Sequence, residues 1–249
     1  MKIKQIVYTV MTGIGNFQND NQWLRYRTEI FQEYTLRSLE KQTKQDFNHL
    51  VSFTPKEQDN PVVYKLWVEE MNYPLKFTLE GLLYHDDRFG DDHAKNRDLV
   101  KRLKCLRSLE NDCKDADWIY FTRIDSDDMY HKDAFKEIMS QEPGEKVAFM
   151  FKTGYIYNKE TEEMATWEPT TCPPFYTICF PKDVFFDPVK HFRYMKGWRT
   201  HEDTEKVFKC KELSEGKYCV LVHGKNTTTN WDHPFRGDFV SNKKLKDFI

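Results

Sequence analysis

The sequence lacks a long apolar segment. No apolar run approaches the roughly 20 residues that a membrane-spanning helix requires. The first ten residues, from Met1 to Val10, are too polar and too short to form the hydrophobic core of a signal peptide. We therefore expect no membrane span and predict a cytoplasmic protein.

The sequence also lacks a zinc-binding pattern and an excess of charge of one sign. Its six cysteines form no C-x-x-C pair and have no histidine partner at zinc-finger spacing, so we expect free thiols in a reducing compartment. Basic and acidic residues number 38 and 40, and the net charge of −2 provides no broad positive surface. Nucleic acid is therefore not an expected partner.

What the sequence does contain is typical of a globular protein. A chain of 249 residues with 39% hydrophobic and 31% charged residues can bury a substantial core. Aromatic residues make up 15% of the chain, more than a core requires, so some are expected to line a ligand groove. No repeat, low-complexity tract or linker divides the sequence, which predicts a single domain over residues 1–249.

The first half alternates short apolar runs with longer amphipathic ones, a pattern typical of an α/β fold with a mostly parallel sheet. Its predicted strands are Ile3–Met11, His49–Phe53, Leu79–Tyr84 and Trp118–Ile124. Its predicted helices are Arg27–Gln42, Pro61–Met71 and Asn96–Cys113. The second half is less regular, with predicted strands at Val147–Phe151, Gly154–Tyr157, Phe175–Phe180 and Tyr218–Val222 and a predicted helix at Glu202–Cys210.

Three carboxylates, Asp125, Asp127 and Asp128, follow the fourth predicted strand within four residues. Carboxylates this close repel one another unless a metal ion or several basic groups neutralise them. Mg²⁺ and Mn²⁺ accept such oxygen ligands and keep positions open for phosphate oxygens. Ligands of open α/β sheets bind outside the carboxyl ends of strands, so the cluster predicts a metal-assisted phosphate or nucleotide site. Turns and helix caps use the same residue types.

A second pattern lies in the first predicted helix and the residues after it, namely Arg27, Phe31, Thr35, Leu36, Ser38, Leu39, Gln42-Thr43 and Asp46-Phe47. It resembles the nucleotide-binding half of GT-A-type glycosyltransferases, and Asp125-Ser126-Asp127-Asp128 resembles their D-x-D motif. With Arg123-Ile124, His201-Glu202-Asp203 and the segment His223–Asn226, the chain is most similar to the family named putative rhamnosyltransferases. The resemblance extends from about Gln5 to Asn226.

The resemblance implies a GT-A-like, Rossmann-like α/β domain with a smaller acceptor-side β region. Residues 1–128 would form a nucleotide-sugar-binding half and residues 129–249 an acceptor and catalytic half. The implied activity is metal-dependent transfer of a sugar, rhamnose by the family name, from a UDP-, dTDP- or GDP-linked donor to a glycan hydroxyl. Mn²⁺ or Mg²⁺ would be the cofactor.

The resemblance also implies roles for individual residues. Asp127 would bind the metal directly, Asp125 would lie near the ribose or the metal, and His223 would complete the metal or pyrophosphate site. Asp203 would be the general base that deprotonates the acceptor hydroxyl, with Glu202 as the alternative.

Further contacts to the donor are expected from Thr12, Arg97 and Lys225, and Arg236 is a second candidate for offsetting pyrophosphate charge. Five aromatic residues are candidates for a sugar-stacking acceptor face, although core packing is the default for each: Trp167, Phe175, Tyr176, Trp198 and Trp231.

Two other functions fit parts of the sequence. A nucleotidyltransferase or phosphohydrolase also gathers carboxylates around a metal, but the segment Gly13–Phe17 lacks the basic residues of a nucleotidyltransferase loop, and no Asp-x-Asp-x-Thr pattern stands near the start. A non-catalytic, Ca²⁺-dependent carbohydrate-binding protein would fit the aromatic content and the acidic loops. Residue types alone do not decide between inverting and retaining transfer.

Overall fold

A computed structural model describes residues 1–11, 20–53, 57, 60–71, 77–81, 107–198, 200–226 and 229–249. These residues form two β-sheets with helices packed around them. The strands, β1 to β12 in chain order, are Ile3–Val10, Phe47–Phe53, Phe77–Gly81, Trp118–Asp125, Met129–Tyr130, Val147–Met150, Gly154–Asn158, Glu163–Trp167, Tyr176–Pro181, Lys209–Glu212, Tyr218–Val222 and Arg236–Val240.

The central sheet has seven strands in the order β10-β6-β9-β4-β1-β2-β3. Strand β1 pairs in parallel with β2 and β4, β2 with β3, and β6 with β10, whereas β9 runs antiparallel to both of its neighbours. Successive residues Ile6, Val7 and Tyr8 of β1 are all fully buried, as expected of a parallel strand that is covered on both faces. The predicted mostly parallel α/β sheet is confirmed.

A second, smaller sheet contains five strands in the order β12-β8-β7-β11-β5, all from the second half of the chain. It corresponds to the smaller β region that the sequence led us to expect. Its strand β7 begins at Gly154, where a Cβ atom would lie 2.6 Å from the carbonyl oxygen of Tyr218 and 2.8 Å from its ring. Because β7 and β11 approach this closely, the position requires glycine.

The longest helix among the described residues, α1, begins at Asn21 and ends at Glu40, and its middle segment, Phe31–Leu36, is π-helical. The Asp20 side chain caps it by accepting hydrogen bonds from the backbone N–H groups of Gln22 and Trp23. The other helical segments are Pro61–Tyr64 with Lys65–Glu70, Arg107–Asp112, Ala134–Met139, Lys182–Phe186, Pro188–Tyr194, His201–Asp203 with Thr204–Val207, and Asn242–Asp247. In the part of the chain that is described, every helix is too short or too polar to traverse a bilayer.

Helix α1 starts at Asn21, earlier than the predicted start at Arg27. The Asp20 cap fixes this start, and Trp23 and Leu24 of the first turn are buried in the core. The predicted helix over 61–71 is confirmed to Glu70, and Pro61 occupies its first turn after the Asn60 cap. For the predicted helix over 96–113, residues 96–106 lie outside the described residues, and Arg107–Asp112 is helical.

The prediction of a helix over Glu202–Cys210 is wrong at its end. The helix stops at Val207, and Lys209–Glu212 becomes edge strand β10, which pairs with β6. Phe208 lies between the helix and the strand, with an extended backbone and a side chain that is buried in the core. Strands β5, β8 and β12 were not predicted, because they are short or have no alternating pattern of apolar residues.

We expect Gly154→Ala to lower the free energy of unfolding by about 1–3 kcal/mol, because the added methyl group would meet a backbone oxygen of β11. Urea unfolding followed by circular dichroism measures the change. Gly144→Ala is the matched control, since its Cβ would meet side-chain atoms of Val147, the nearest 3.0 Å away, and no backbone atom among the described contacts. Equal losses in both variants would contradict this account of the β7–β11 contact.

Candidate active site

The predicted carboxylate cluster lies at the carboxyl end of β4, where the sequence placed it. Asp125 is the last residue of β4, and Asp127 and Asp128 follow in the turn that leads to β5. Asp127 and Asp128 are both buried, with 8% and 5% of their surfaces exposed. Burial makes their charge costly, so the groups that neutralise them determine what the site can bind.

One oxygen of Asp127 is the meeting point of three side chains. Its Oδ2 lies 2.5 Å from Nη1 of Arg27, 3.2 Å from Nε2 of His223 and 3.3 Å from Nδ2 of Asn226. Burial alone would raise the pKa of Asp127, but the nearby Arg27 guanidinium lowers it, and the pKa lies below its ordinary value. Asp127 is therefore held as a carboxylate.

Helix α1 brings two residues to this cluster. Arg27 donates from Nε to Oγ of Ser126 at 2.9 Å, and its Nη1 lies 3.1 Å from Nε2 of His223. The Tyr26 hydroxyl donates to the carbonyl oxygen of His223 at 2.6 Å and lies 3.2 Å from Nδ1 of that ring. Arg27 belongs to the helical pattern noted in the sequence, but nothing in that pattern indicated its contact with Asp127.

The turn after β11 contributes His223 and Asn226. Gly224 has a φ of 74°, a left-handed conformation that favours glycine, and it lets the chain reverse directly after β11. Asn226 closes the turn: its Oδ1 accepts from the backbone N–H of His223 at 2.8 Å, and its Nδ2 donates to the carbonyl of Leu221 at 2.7 Å. The His223 side chain is fully buried and is fixed in orientation.

The other two carboxylates have different partners. Asp125 Oδ1 accepts from Nε and Nη2 of Arg123, at 3.2 and 2.9 Å. Asp128 Oδ1 accepts from the backbone N–H of Leu221 at 3.2 Å. Burial, together with the charges of Asp127 and Asp125, raises the pKa of Asp128 well above its ordinary value. The repulsion within the cluster is thus relieved by Arg27, by Arg123 and by the raised pKa of Asp128.

The predicted catalytic residues follow Thr200 in a short helical turn. Asp203 forms a capping box with Thr200, and its Oδ1 accepts from Nζ of Lys206 at 2.9 Å. Nδ1 of His201 contacts the carbonyl oxygen of Cys172, and burial lowers the pKa of the His201 ring. Glu202 lines the pocket described next, whereas the described lining does not include Asp203.

A pocket of about 360 Å³ opens beside Asp127, and its lining residues are of two kinds. The charged and polar ones, called here the polar wall, are Arg27, Asp125, Asp127, Asp128, His201, Glu202 and Asn226. The second set carries mainly rings and small side chains and consists of Trp167, Pro169, Thr171, Pro173, Pro174, Val220, Thr229, His233 and Phe235. The polar wall suits charged or hydroxylated groups, and the second set suits the apolar face of a ring.

The other predicted contacts have varied locations. Thr12 and Arg97 lie outside the described residues. Lys225 is exposed and places Nζ 4.5 Å from the ring centre of Tyr26, beside the cluster rather than in the pocket lining. Arg236 pairs with Asp232 at 3.6 Å.

Of the five aromatic candidates, only Trp167 lines the pocket among the residues described. Phe175, Tyr176 and Trp198 are buried in the core, where Phe175 stacks on Tyr218 with ring centres 3.9 Å apart. Trp231 packs against Arg236, whose guanidinium lies 4.9 Å from its ring centre. Pocket residues His233 and Phe235 were not predicted.

The donor atoms at this site match part of the coordination shell of a divalent ion. Within the described part of the chain, no three His, Cys, Asp or Glu side chains are grouped to hold a metal. However, Asp127 Oδ2 and His223 Nε2 are 3.2 Å apart, close to the separation of about 3 Å between adjacent ligands of an octahedral ion with bonds of about 2.1 Å. These two residues fit an ion that takes its other ligands from water and phosphate.

Three of the solved structures to which the chain is similar have low sequence identity to it. S. aureus TarS 1-349 has a TM-score of 0.41 and 18% identity, over 89% of this chain and 60% of that one. A structure described as a putative nucleotide-diphospho-sugar transferase from Desulfovibrio desulfuricans G20 has a TM-score of 0.36 and 13% identity, over 89% and 81%. The inositol-1-phosphate CTP transferase from T. maritima has a TM-score of 0.36 and 10% identity, over 87% and 89%.

No curated protein matches the chain, and the chain spans 60% of the length of the TarS structure. A sequence model of the family described as "Putative rhamnosyl transferase" matches residues 15–231. This match includes the carboxylate cluster, the turn at Glu202 and the turn at His223. Because it covers most of the 249 residues, the chain belongs to the family described as "Putative rhamnosyl transferase".

Proposed function

We propose that this protein is a glycosyltransferase that moves a sugar, rhamnose by its family, from a nucleotide diphosphate donor to a hydroxyl of a glycan. The observation that carries the proposal is the pocket at the carboxyl end of β4. There the buried Asp127 carboxylate, with its Arg27 and His223 partners, shares one cavity with Glu202. A phosphate-binding group and a candidate base thus line the same cavity.

The polar wall is the proposed site of the donor diphosphate. Arg27 and Asn226 offer hydrogen-bond donors there, and the guanidinium fork matches phosphate oxygens in geometry and charge. We propose that Asp127 and His223 hold the Mn²⁺ or Mg²⁺ ion. When bound, such an ion would stabilise the negative charge that develops on the departing diphosphate.

The second set of lining residues is the proposed site of the acceptor sugar. Trp167 and Phe235 offer rings against which the apolar face of a sugar can pack. Glu202 joins the polar wall, so its carboxylate is the candidate to take the proton from the acceptor hydroxyl. Asp203 adjoins it and starts the following helix, which supports a positioning role.

The reaction is proposed to take place in a reducing compartment such as the cytoplasm. This is supported by Cys172, Cys179, Cys210 and Cys219, which are free thiols.

We expect Asp127→Asn to abolish the stabilisation that a nucleotide and Mn²⁺ together give to the protein, and to reduce sugar transfer at least ~100-fold. The reason is that the substitution removes the buried charge to which Arg27 and the proposed ion bind. Thermal unfolding with UDP, dTDP or GDP, each with and without Mn²⁺, measures the first effect, and product formation from the matching sugar nucleotide measures the second.

Asp46→Asn is the control, because it removes an exposed carboxylate that pairs only with Lys4 in the described contacts, 3.0 Å away. Full activity of a folded Asp127→Asn protein would refute the assignment of this site. Stabilisation by free glycan alone, with no response to any nucleotide, would indicate a carbohydrate-binding protein instead of a transferase.

A second prediction separates the two adjacent carboxylates. We expect Glu202→Gln to lower kcat by about 10²–10⁴-fold with little change in donor affinity, as for the loss of a general base. Asp203→Asn should act mainly on stability, because it weakens the capping box and the contact to Lys206. Initial rates across a range of pH and melting temperatures, measured on both variants, test this. If Asp203→Asn loses more activity at an unchanged melting temperature, the role of base passes to Asp203.

A further inference from the structure

Arg27 contacts the same two atoms that are proposed to bind the divalent ion. Its Nη1 lies 2.5 Å from Asp127 Oδ2 and 3.1 Å from His223 Nε2. An ion bound to Oδ2 would lie within about 5 Å of Nη1, because an ion–oxygen bond of about 2.1 Å adds to this short hydrogen bond. Two positive charges at that distance repel each other strongly inside a buried site.

The Oδ2 atom also has no unused lone pair. A carboxylate oxygen offers two lone pairs, and Arg27 and Asn226 both direct donors at Oδ2. An ion could bind Oδ2 only after one of these donors has left. Asn226 is fixed in its turn by contacts to His223 and Leu221, so the guanidinium is the group that must move.

The hydrogen bonds around His223 show that this pair of atoms attracts a cation. Tyr26 has one hydroxyl proton, and the short 2.6 Å contact assigns it to the carbonyl oxygen of His223. Nδ1 of the ring, 3.2 Å away, then donates its proton to the Tyr26 oxygen. Nε2 is left with a lone pair facing Asp127 Oδ2, so two acceptors face each other at 3.2 Å. Such a pair requires a positive group between or beside them, and Arg27 supplies it.

Arg27 has a destination within reach when it leaves. Its side chain lines the pocket and is 13% exposed, and its Nε is attached to Ser126 Oγ. With Nε held by Ser126, rotation of the guanidinium would turn its terminal nitrogens away from Asp127 and towards the cavity that Arg27 lines. A diphosphate there would form charge-assisted, bidentate hydrogen bonds with the guanidinium.

We propose that Arg27 is the resident cation of the donor-free enzyme and competes with the divalent ion for Asp127 and His223. The donor diphosphate draws the guanidinium away, so the ion and the nucleotide bind together and neither binds tightly alone. This inference rests on the proposed function. It adds that ion binding and nucleotide binding depend on each other, and that Arg27 positions the donor.

The test measures Mn²⁺ binding in the absence of nucleotide. The electron paramagnetic resonance signal of free Mn²⁺ reports how much of the ion remains unbound. We expect Arg27→Gln to bind Mn²⁺ at least tenfold more tightly than wild type, because the competing charge is gone. Arg25→Gln is the matched control, since it removes an exposed arginine from the same helix and should leave the affinity unchanged. Adding UDP, dTDP or GDP should increase the Mn²⁺ affinity of wild type far more than that of Arg27→Gln.

Arg27→Lys keeps a cation beside Asp127 and should bind Mn²⁺ nearly as weakly as wild type, which separates the charge from the shape of the side chain. If Arg27→Gln does not fold, Arg27→Met keeps the apolar stem and replaces it in the comparison. Equal Mn²⁺ affinity in wild type and in the neutral variant, abolished in both by Asp127→Asn, would overturn the competition and leave the metal site standing. Absence of Mn²⁺ binding in every variant, with and without nucleotide, would overturn the proposed metal dependence itself.

Discussion

The neutralisation of the Asp127 carboxylate is the interaction on which the rest of the site depends. A charge buried this deeply is tolerated only when opposite charge and hydrogen-bond donors surround it. Arg27 comes from α1, His223 and Asn226 come from the turn after β11, and Asp127 itself follows β4. One oxygen atom therefore ties together three segments that lie about 100 residues or more apart in the sequence. Arg27, Asp127 and Asn226 also form part of the polar wall of the pocket.

The sequence predicted three interior strands, β1 and β4 of the central sheet and β11 of the smaller sheet, better than the edge strands β10 and β12. The interior strands are largely buried and mostly apolar, and such runs are visible without any knowledge of their partners. Edge strands β10 and β12 have mostly exposed residues, and pairing with a neighbour defines them. Pairing depends on residues distant in the sequence, which a local pattern does not contain.

The same distinction applies to the site. Closely spaced carboxylates after a buried strand indicated Asp127, because that signal is local, and the family resemblance implied His223. The contact between Arg27 and Asp127 joins residues 100 positions apart and left no local signal. Spacing alone also could not tell Glu202 from Asp203, since adjacent residues of one turn point in different directions, towards the pocket and towards the start of the helix.

Strand β9 has a consequence for how the chain can fold. It lies between β4 and β6 in the central sheet, yet it is formed by Tyr176–Pro181, well after β4 is complete. While the polypeptide is being synthesised, the hydrogen-bonding groups on one side of β4 have no partner until those later residues emerge. The acidic turn at the end of β4 also acquires its partners late, because His223 and Asn226 contact Asp127. Residues 1–128 alone thus leave one edge of β4 without its strand partner, and the pocket is complete only after its lining residues as far as Phe235 have been synthesised.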